Sequence, residues 1–508
     1  MTTTEAAGDQ VEEFRTTGKE LFGHPRGLAY LVFSEAAERF SYYGMQALLV
    51  LYLTKQALLP GHLEHIVGFD ALMSVVGPIR DVMKFIVGGI IAPFSFLFGP
   101  PPVAAAHAAS AIDVTATATA ITGAYSGLVY LTPLFGGLIA DRLTGRTWAI
   151  IIGATLMVFG HFLMAFENLF VFAITCLVLG VGFFKGNIAG QVGELYKAGD
   201  PRRAFAYQTF LLGVQISVFF APLIVGFLGE KVAWHWGFGA AGIGMTIALI
   251  VYLSGRNHLP PDGVFDRRKQ ATAVAKSPAP KLNGRDWAAI GVLILLVPML
   301  SLTSLGNQEI FNAYELWGDK TFQLTFFGFT MPTSSLISLD AGISFICMIA
   351  VMAFWTWYGT KWREPDEIFK VVIGALISAG APLLLAFASA EAALTHDRVS
   401  LWWGVGFHFL NDIGFSMVFP IGLALFSRVA PKGTAGAVIG IYYLNLFICN
   451  GMTGYLAGLI ETMDGFSFWA IHAGLITLGS VVMLVFAFVF RGILAPKEVA
   501  PLAAPAAA

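Results

Sequence analysis

One short segment concentrates side chains able to do acid–base chemistry. It runs Ser34-Glu35-Ala36-Ala37-Glu38-Arg39-Phe40-Ser41-Tyr42-Tyr43-Gly44-Met45-Gln46. At about 100° per residue on a helix, Glu35, Glu38, Arg39, Tyr42, Tyr43 and Gln46 gather on one face about 140° wide. Glu35 and Arg39 stand four residues apart, close enough to pair. In a medium of low dielectric, protonating the acid opens such a pair. A static salt bridge would need neither the second carboxylate nor the phenols. The pattern therefore predicts a proton-operated switch.

Composition says what surrounds that face. The chain has 508 residues, of which 56% are hydrophobic and only 12% charged. Soluble domains carry about 25% charged residues. This chain has too little charge to cover a water-facing surface, so it is predicted to be an all-α polytopic membrane protein. An ionisable residue inside a span is costly and marks a functional site. The net charge of −2 gives no footprint for nucleic acid. Cys176, Cys347 and Cys449 lie in separate apolar runs and are expected to be buried packing residues. Met1 to Gly27 has no apolar core, so it is not read as a cleavable signal.

Twelve runs are long enough to cross a bilayer: 28–53, 118–140, 147–166, 168–191, 204–228, 234–254, 287–314, 334–358, 367–389, 398–426, 433–460 and 466–494. With the N-terminus in the cytoplasm, most of the 30 lysines and arginines fall on the cytoplasmic side. Both termini are therefore predicted to be cytoplasmic. The expected organisation is a cytoplasmic tail (1–27), a six-helix bundle (28–254), a cytoplasmic linker (255–286), a second six-helix bundle (287–494) and a tail (495–508). The connection 56–117 holds an apolar stretch, Phe85 to Gly99, expected to be a lateral, interfacial or re-entrant helix because a thirteenth span would invert every later loop.

Other motifs follow. Residues 136–146 read GGLIADRLTGR and residues 180–196 read GVGFFKGNIAGQVGELY. Lys185 lies midway along its span, where a carboxylate partner is expected. HLEH at 62–65 lacks further ligands, so no metal is expected. No catalytic triad, paired-cysteine or nucleotide motif stands at usable spacing, so an enzyme is not expected. A receptor would need a soluble signalling domain, which is also missing.

The segment ERFSYYG preceded by Glu35 closely resembles the signature of the proton-dependent oligopeptide transporter family of the major facilitator superfamily. The other two motifs agree in order and spacing. The resemblance implies the major facilitator fold, twelve transmembrane helices in two six-helix halves. It implies proton coupling through Glu35, Glu38, Arg39, Lys185 and Glu315. It implies a conformational latch at Asp141, Arg142 and Arg146. It implies a substrate site drawn from Tyr42, Tyr43, Gln46, Tyr125, Lys185, Asn187, Gln215, Asn312, Asp340, Asp412, Tyr442 and Asn450. No cofactor is implied beyond the proton. The expected partners are a small peptide-like substrate, protons and membrane lipid, in the cytoplasmic membrane.

Several positions depart from the family pattern. Gln46 replaces an arginine, Gln215 and Asp340 replace asparagines, Asn312 and Tyr442 replace tryptophans, and Leu316 replaces a glutamine. The tenth-span glutamate is Phe415, leaving Asp340 or Asp412 to receive a substrate amine. Import of di- or tripeptides is the principal expectation. A non-peptide cargo such as an amino-acid-like compound, nitrate, another anion or a drug-like solute is the alternative. Glu309 is read as a solvated terminus residue or as one facing elsewhere on its helix.

Overall fold

The structure is a computed structural model and describes residues 20–94, 113–196, 200, 202–260, 282–431 and 434–494. Most of the predicted linker and both tails lie outside the described residues. The helices are α1 (Arg26–Tyr52), α2 (Phe69–Ile91), α3 (Val114–Ile139), α4 (Arg146–Leu163), α5 (Phe170–Glu194), α6 (Arg202–Ala221), α7 (Trp234–Gly255), α8 (Gly284–Thr303), α9 (Ala313–Thr321), α10 (Ser335–Gly359), α11 (Glu367–Thr395), α12 (Trp402–Val429), α13 (Ala435–Leu456) and α14 (Gly465–Val489). Among the described residues, 11 helical stretches are long and apolar enough to cross a membrane. The charged α1 is the twelfth member of the bundle. It is 27 residues long but carries Arg26, Glu35, Glu38 and Arg39.

Two halves of six spans each result, α1 with α3–α7, and α8–α14, in which α8 and α9 are two pieces of one span. The base is where α1 begins. The top is where α1 ends, near Lys55. Two short hairpins cap the bundle: Glu20–Leu21 with His24–Pro25 at the base, and Thr325–Phe326 with Phe329–Thr330 at the top.

Small residues set how closely the helices approach. A Cβ on Gly136 would fall 2.0 Å from the Gly182 carbonyl oxygen, so α3 and α5 touch backbone to backbone. A Cβ on Gly123 would fall 2.4 Å from the Asn450 carbonyl oxygen. Gly123, Gly127 and Gly454, with Gly458 in the turn just past α13, thus form a close seam between α3 and α13, one helix from each half.

Two expectations are corrected. The seventh span, predicted as one helix over 287–314, is jointed. Helix α8 stops at Thr303, one turn follows at Leu305–Gln308, a tighter turn at Glu309–Phe311, and α9 restarts at Ala313. The cause is local composition. Thr303, Ser304, Gly306 and Asn307 are weak helix formers in succession. Asn312 then leaves helical geometry, at φ −142 and ψ −101. In the long connection the helix runs over Phe69–Ile91, upstream of most of the predicted stretch. Its residues Val76, Met83, Val87 and Ile91 form one buried stripe. It rests laterally against the bundle, with Met83 3.0 Å from where a Gly451 Cβ would stand. Residues 95–99 of that stretch lie outside the described residues.

Candidate functional site

Helix α1 delivers its polar face into the bundle as the spacing predicts. Glu35, Glu38 and Arg39 are at most 4% exposed. Arg39 Nε stands 2.8 Å from Glu35 Oε1 and 2.9 Å from Glu38 Oε2. One Nε–H cannot serve both. Its hydrogen is given to Glu35, and Glu38 is held by charge alone. Both oxygens of Glu38 lack a hydrogen-bond donor. The group holds two carboxylates against one guanidinium, buried, with acceptor capacity to spare.

Lys185 of α5 approaches this group without pairing. Its Nζ lies 4.5 Å from the Tyr130 ring centroid, a cation–π contact. Among the described residues no carboxylate lies within ion-pair distance of it. The expected Lys185–acid pair is therefore absent in this conformation. Tyr42 stacks on Tyr125 at 6.5 Å and meets Tyr43 edge-on at 5.0 Å. Tyr43 reaches the other half, 6.1 Å from Phe311. The Tyr125 hydroxyl has no partner. Gln46 donates to Ser126 Oγ at 3.2 Å, across α1 and α3.

Across the seam, α10 and α12 bring Asp340, His408 and Asp412 together, with one ligand-type atom from each within 4.8 Å of the others. Asp340 Oδ1 and His408 Nδ1 are 2.9 Å apart. Asn411 donates to Asp412 Oδ1, and Asp412 Oδ2 is unpartnered. This group alone, among the described residues, has the donor set and closeness to hold a metal ion. The His408 Nδ1–Asp340 bond already occupies two of its atoms.

The remaining expected residues are spread more widely. Asn187 donates to its own helix at Phe183 O, and Tyr442 OH donates to Phe419 O at 2.6 Å. Asn450 donates to Gln308 Oε1 at 2.9 Å, and Asn312 donates across the halves to Thr119 O at 3.2 Å. Gln215 is half-buried on α6. Glu315 is fully buried on α9, apart from the α1 cluster, and neither of its oxygens has a donor. At the base, Arg146 bonds Glu194 at 3.0 Å and lies 3.8 Å from Asp141, while Arg142 is exposed. Cys347 and Cys449 are buried as expected, whereas Cys176 is only half-buried.

Glu309 is not a solvated terminus residue. It is fully buried in the joint between α8 and α9, and its Oε1 lies 2.9 Å from His472 Nε2.

Sequence reasoning also missed a gate at the top. Lys55, just past α1, pairs with Asp319 of α9 at 2.8 Å. Thr333 Oγ1 donates to Asp319 Oδ1 at 2.5 Å. Glu230 accepts the backbone N–H groups of Thr333 and Ser334, both at 2.9 Å. It thereby places a carboxylate of one half on the N-terminus of a helix of the other. Together with Asn312–Thr119, these are all the hydrogen bonds and ion pairs that join the halves among the described residues. The available signal was charge of opposite sign beyond the ends of two spans that finish on the same side.

Comparison with known proteins agrees with this arrangement. A family model described as the POT family matches residues 147–276. The chain is 26% identical to the peptide transporter YePEPT of Yersinia enterocolitica over 87% of this chain and 89% of that one. It is 26% identical to a di-/tripeptide transporter of Lactococcus lactis subsp. cremoris over 94% of this chain and 97% of that one. A crystal structure of a POT peptide transporter with sulfate superposes with a TM-score of 0.74 at 21% identity, covering 94% of this chain and 98% of that one. That likeness shows the fold. The signature motifs, the matched family model and the full-length relatives point the same way: this integral membrane protein resembles the POT family and has the major facilitator fold.

Proposed function

We propose that the protein is a transporter that imports di- and tripeptides together with protons across the cytoplasmic membrane, by alternating access and not as an enzyme. One observation carries the proton-coupled part. The buried Glu38 accepts no hydrogen bond, beside an arginine already committed to Glu35. Both of its oxygens are open to a proton. Protonation releases Arg39 from its second acid. A charge rearrangement between α1 and its neighbours is what allows the halves to rock. The peptide part is supported by the full-length relatives named as peptide transporters.

A peptide is a zwitterion, and the walls supply both signs. Lys185, held on Tyr130 and bound to no acid, is free to meet the carboxylate end. Asp340 and Asp412 meet the ammonium end, in place of the glutamate missing at Phe415. Tyr42, Tyr43 and Tyr125 give an aromatic wall with a spare hydroxyl. With the cytoplasmic N-terminus expected from the charge bias, the top is the outer face. The Lys55–Asp319 and Glu230 contacts then close that face and leave the base as the side of release.

The test is uptake into proteoliposomes. Purified protein faces an inward-acid gradient with labelled alanyl-alanine outside. Uptake abolished by an uncoupler and by Glu38→Gln is expected. A folded protein that takes up no dipeptide under the gradient overturns the peptide reading.

A further inference from the structure

Another buried acid sits outside the motifs quoted above, and its hydrogen bonds fix a proton count. His472 lies on α14 and is 1% exposed; Glu309 is fully buried. His472 Nδ1 stands 2.9 Å from the Phe468 carbonyl oxygen. A carbonyl only accepts, so Nδ1 must carry a hydrogen. The other ring nitrogen, Nε2, stands 2.9 Å from Glu309 Oε1. That contact is a hydrogen bond only if one proton lies between the two atoms, as imidazolium against carboxylate or as imidazole against carboxylic acid. Without it, a lone pair faces a carboxylate in a site closed to water. Both forms are one pair holding one exchangeable proton, and losing that proton breaks the bond.

Few other groups could share the work. Among the described residues, Cys449 of α13 is a further titratable side chain within electrostatic reach of Glu309. On α14, Phe468 and Trp469 close over the imidazole, with ring centroids at 4.6 and 5.3 Å. From α9 comes only a backbone group, Ala313 N–H, which donates to Glu309 Oε2 at 3.2 Å.

The location gives the pair its consequence. Glu309 is in the joint, and one of its oxygens holds the first residue of α9. The hydrogen bond and the ion pair that the seventh span makes across the halves both follow Glu309 in the chain: Asn312 to Thr119 O, and Asp319 to Lys55. We infer that Glu309 and His472 form a second proton-binding site, in the C-terminal half, which fixes the jointed seventh span to α14 while the proton is held and frees α9 with its gate contacts when it leaves. The inference rests on the proton-coupled reading above, but its central test needs no substrate.

Glu309→Gln is the decisive variant. A glutamine amide donates to a neutral His472 Nε2, and its oxygen still accepts from Ala313 N–H. Every bond is kept and no proton can leave. The expected result is a folded protein that exchanges labelled for unlabelled alanyl-alanine across equal pH, yet fails to accumulate it under an acid-outside gradient. Gradient-driven accumulation with the wild-type pH profile overturns the inference. The substrate-free arm is infrared difference spectroscopy of wild-type protein carrying isotope-labelled histidine, titrated from acid to alkaline pH. An imidazole band that changes with pH and is lost in His472→Gln supports the site. A spectrum in which His472 contributes no change overturns it. The spectroscopic arm decides even if Glu309→Gln fails to fold, or if wild-type protein ignores dipeptides.

Discussion

The two halves pair some of their buried acids by different means. In the N-terminal half, Glu35 and Glu38 lie on one helix and share Arg39 from the same helix. In the C-terminal half, Asp340 meets His408 across α10 and α12, and Glu309 meets His472 across the joint and α14. Arginine keeps its charge at any accessible pH, so the first arrangement is a fixed cation that acids can leave. Histidine shares a proton, so in the second each partner can be neutralised by the other. The same task thus has a rigid solution on one side of the seam and a titratable one on the other.

Arg39 offers the largest break in that comparison. Arg39→Gln leaves two buried carboxylates with no cation between them. Removing one partner of a buried ion pair costs about 3–5 kcal/mol. Thermal unfolding in detergent is expected to show a large loss, mostly recovered when Glu35→Gln is added. A small loss that the second substitution does not change would show that the cluster is solvated. His408→Ala is expected to cost less. Asp340 is left without its hydrogen-bond partner, for about 1–3 kcal/mol, the usual range for one buried group left unsatisfied. A loss as large as that of Arg39→Gln would erase the distinction between the halves.

The contrast also explains what the sequence could reveal. Glu35, Glu38 and Arg39 are neighbours on one helix, and period 3.6 alone puts them on one face. Neither His408–Asp340 nor Glu309–His472 is local. The second pair is 163 residues apart in the chain, and no periodicity connects α14 to a break in the seventh span. The span count, the two halves and the existence of a lateral helix, though not its position, were legible because apolar length and charge bias are local sums. The break at Ser304–Asn312 was not, since its residues are polar enough to bend a helix yet apolar enough to stay within a span. Glu315 was placed on the right span, but the break carries it away from the α1 acids and toward Glu230, Lys55 and Asp319. Of the gate, Lys55 and Asp319 carried visible charges whose partnership only the fold creates.

The seam that lets the halves differ can itself be strained. Gly123→Ala places a methyl 2.4 Å from the Asn450 carbonyl oxygen and 2.6 Å from Gly454 Cα. Backbone atoms cannot yield as a flexible side chain can. Overpacking of this kind costs about 1–3 kcal/mol. The expected outcome is a lower unfolding temperature. A crosslinker bridging the top of α3 and α13 should also react less. Unchanged stability and crosslinking would mean that the helices separate freely at this point, and the halves would then be coupled only through the gate.

The smallest expected effect on stability is at that gate, and it tests which acids sense pH. Lys55 and Asp319 are 39% and 29% exposed, so the pair contributes about 0–1 kcal/mol. Burial pushes the Asp319 carboxyl up, but the Lys55 ammonium and the Thr333 hydroxyl overcome it and leave the group below its ordinary range. A depressed carboxyl contributes stability that is present above its unfolded value and is lost only as pH falls through the lower, folded value. The gate pair therefore persists in mild acid, and proton sensing falls to the buried groups below it. Lys55→Gln removes the main lowering charge and lets burial raise Asp319. In a background with Cys176, Cys347 and Cys449 replaced by serine, labelling of Ser334→Cys from the top measures the opening. Wild-type gate residues should give labelling that is flat through mild acid, and Lys55→Gln should make it depend on pH with little change in unfolding temperature. Wild-type labelling that already rises in mild acid would move the pH sensor from the buried Glu38 and Glu309 sites to the gate itself.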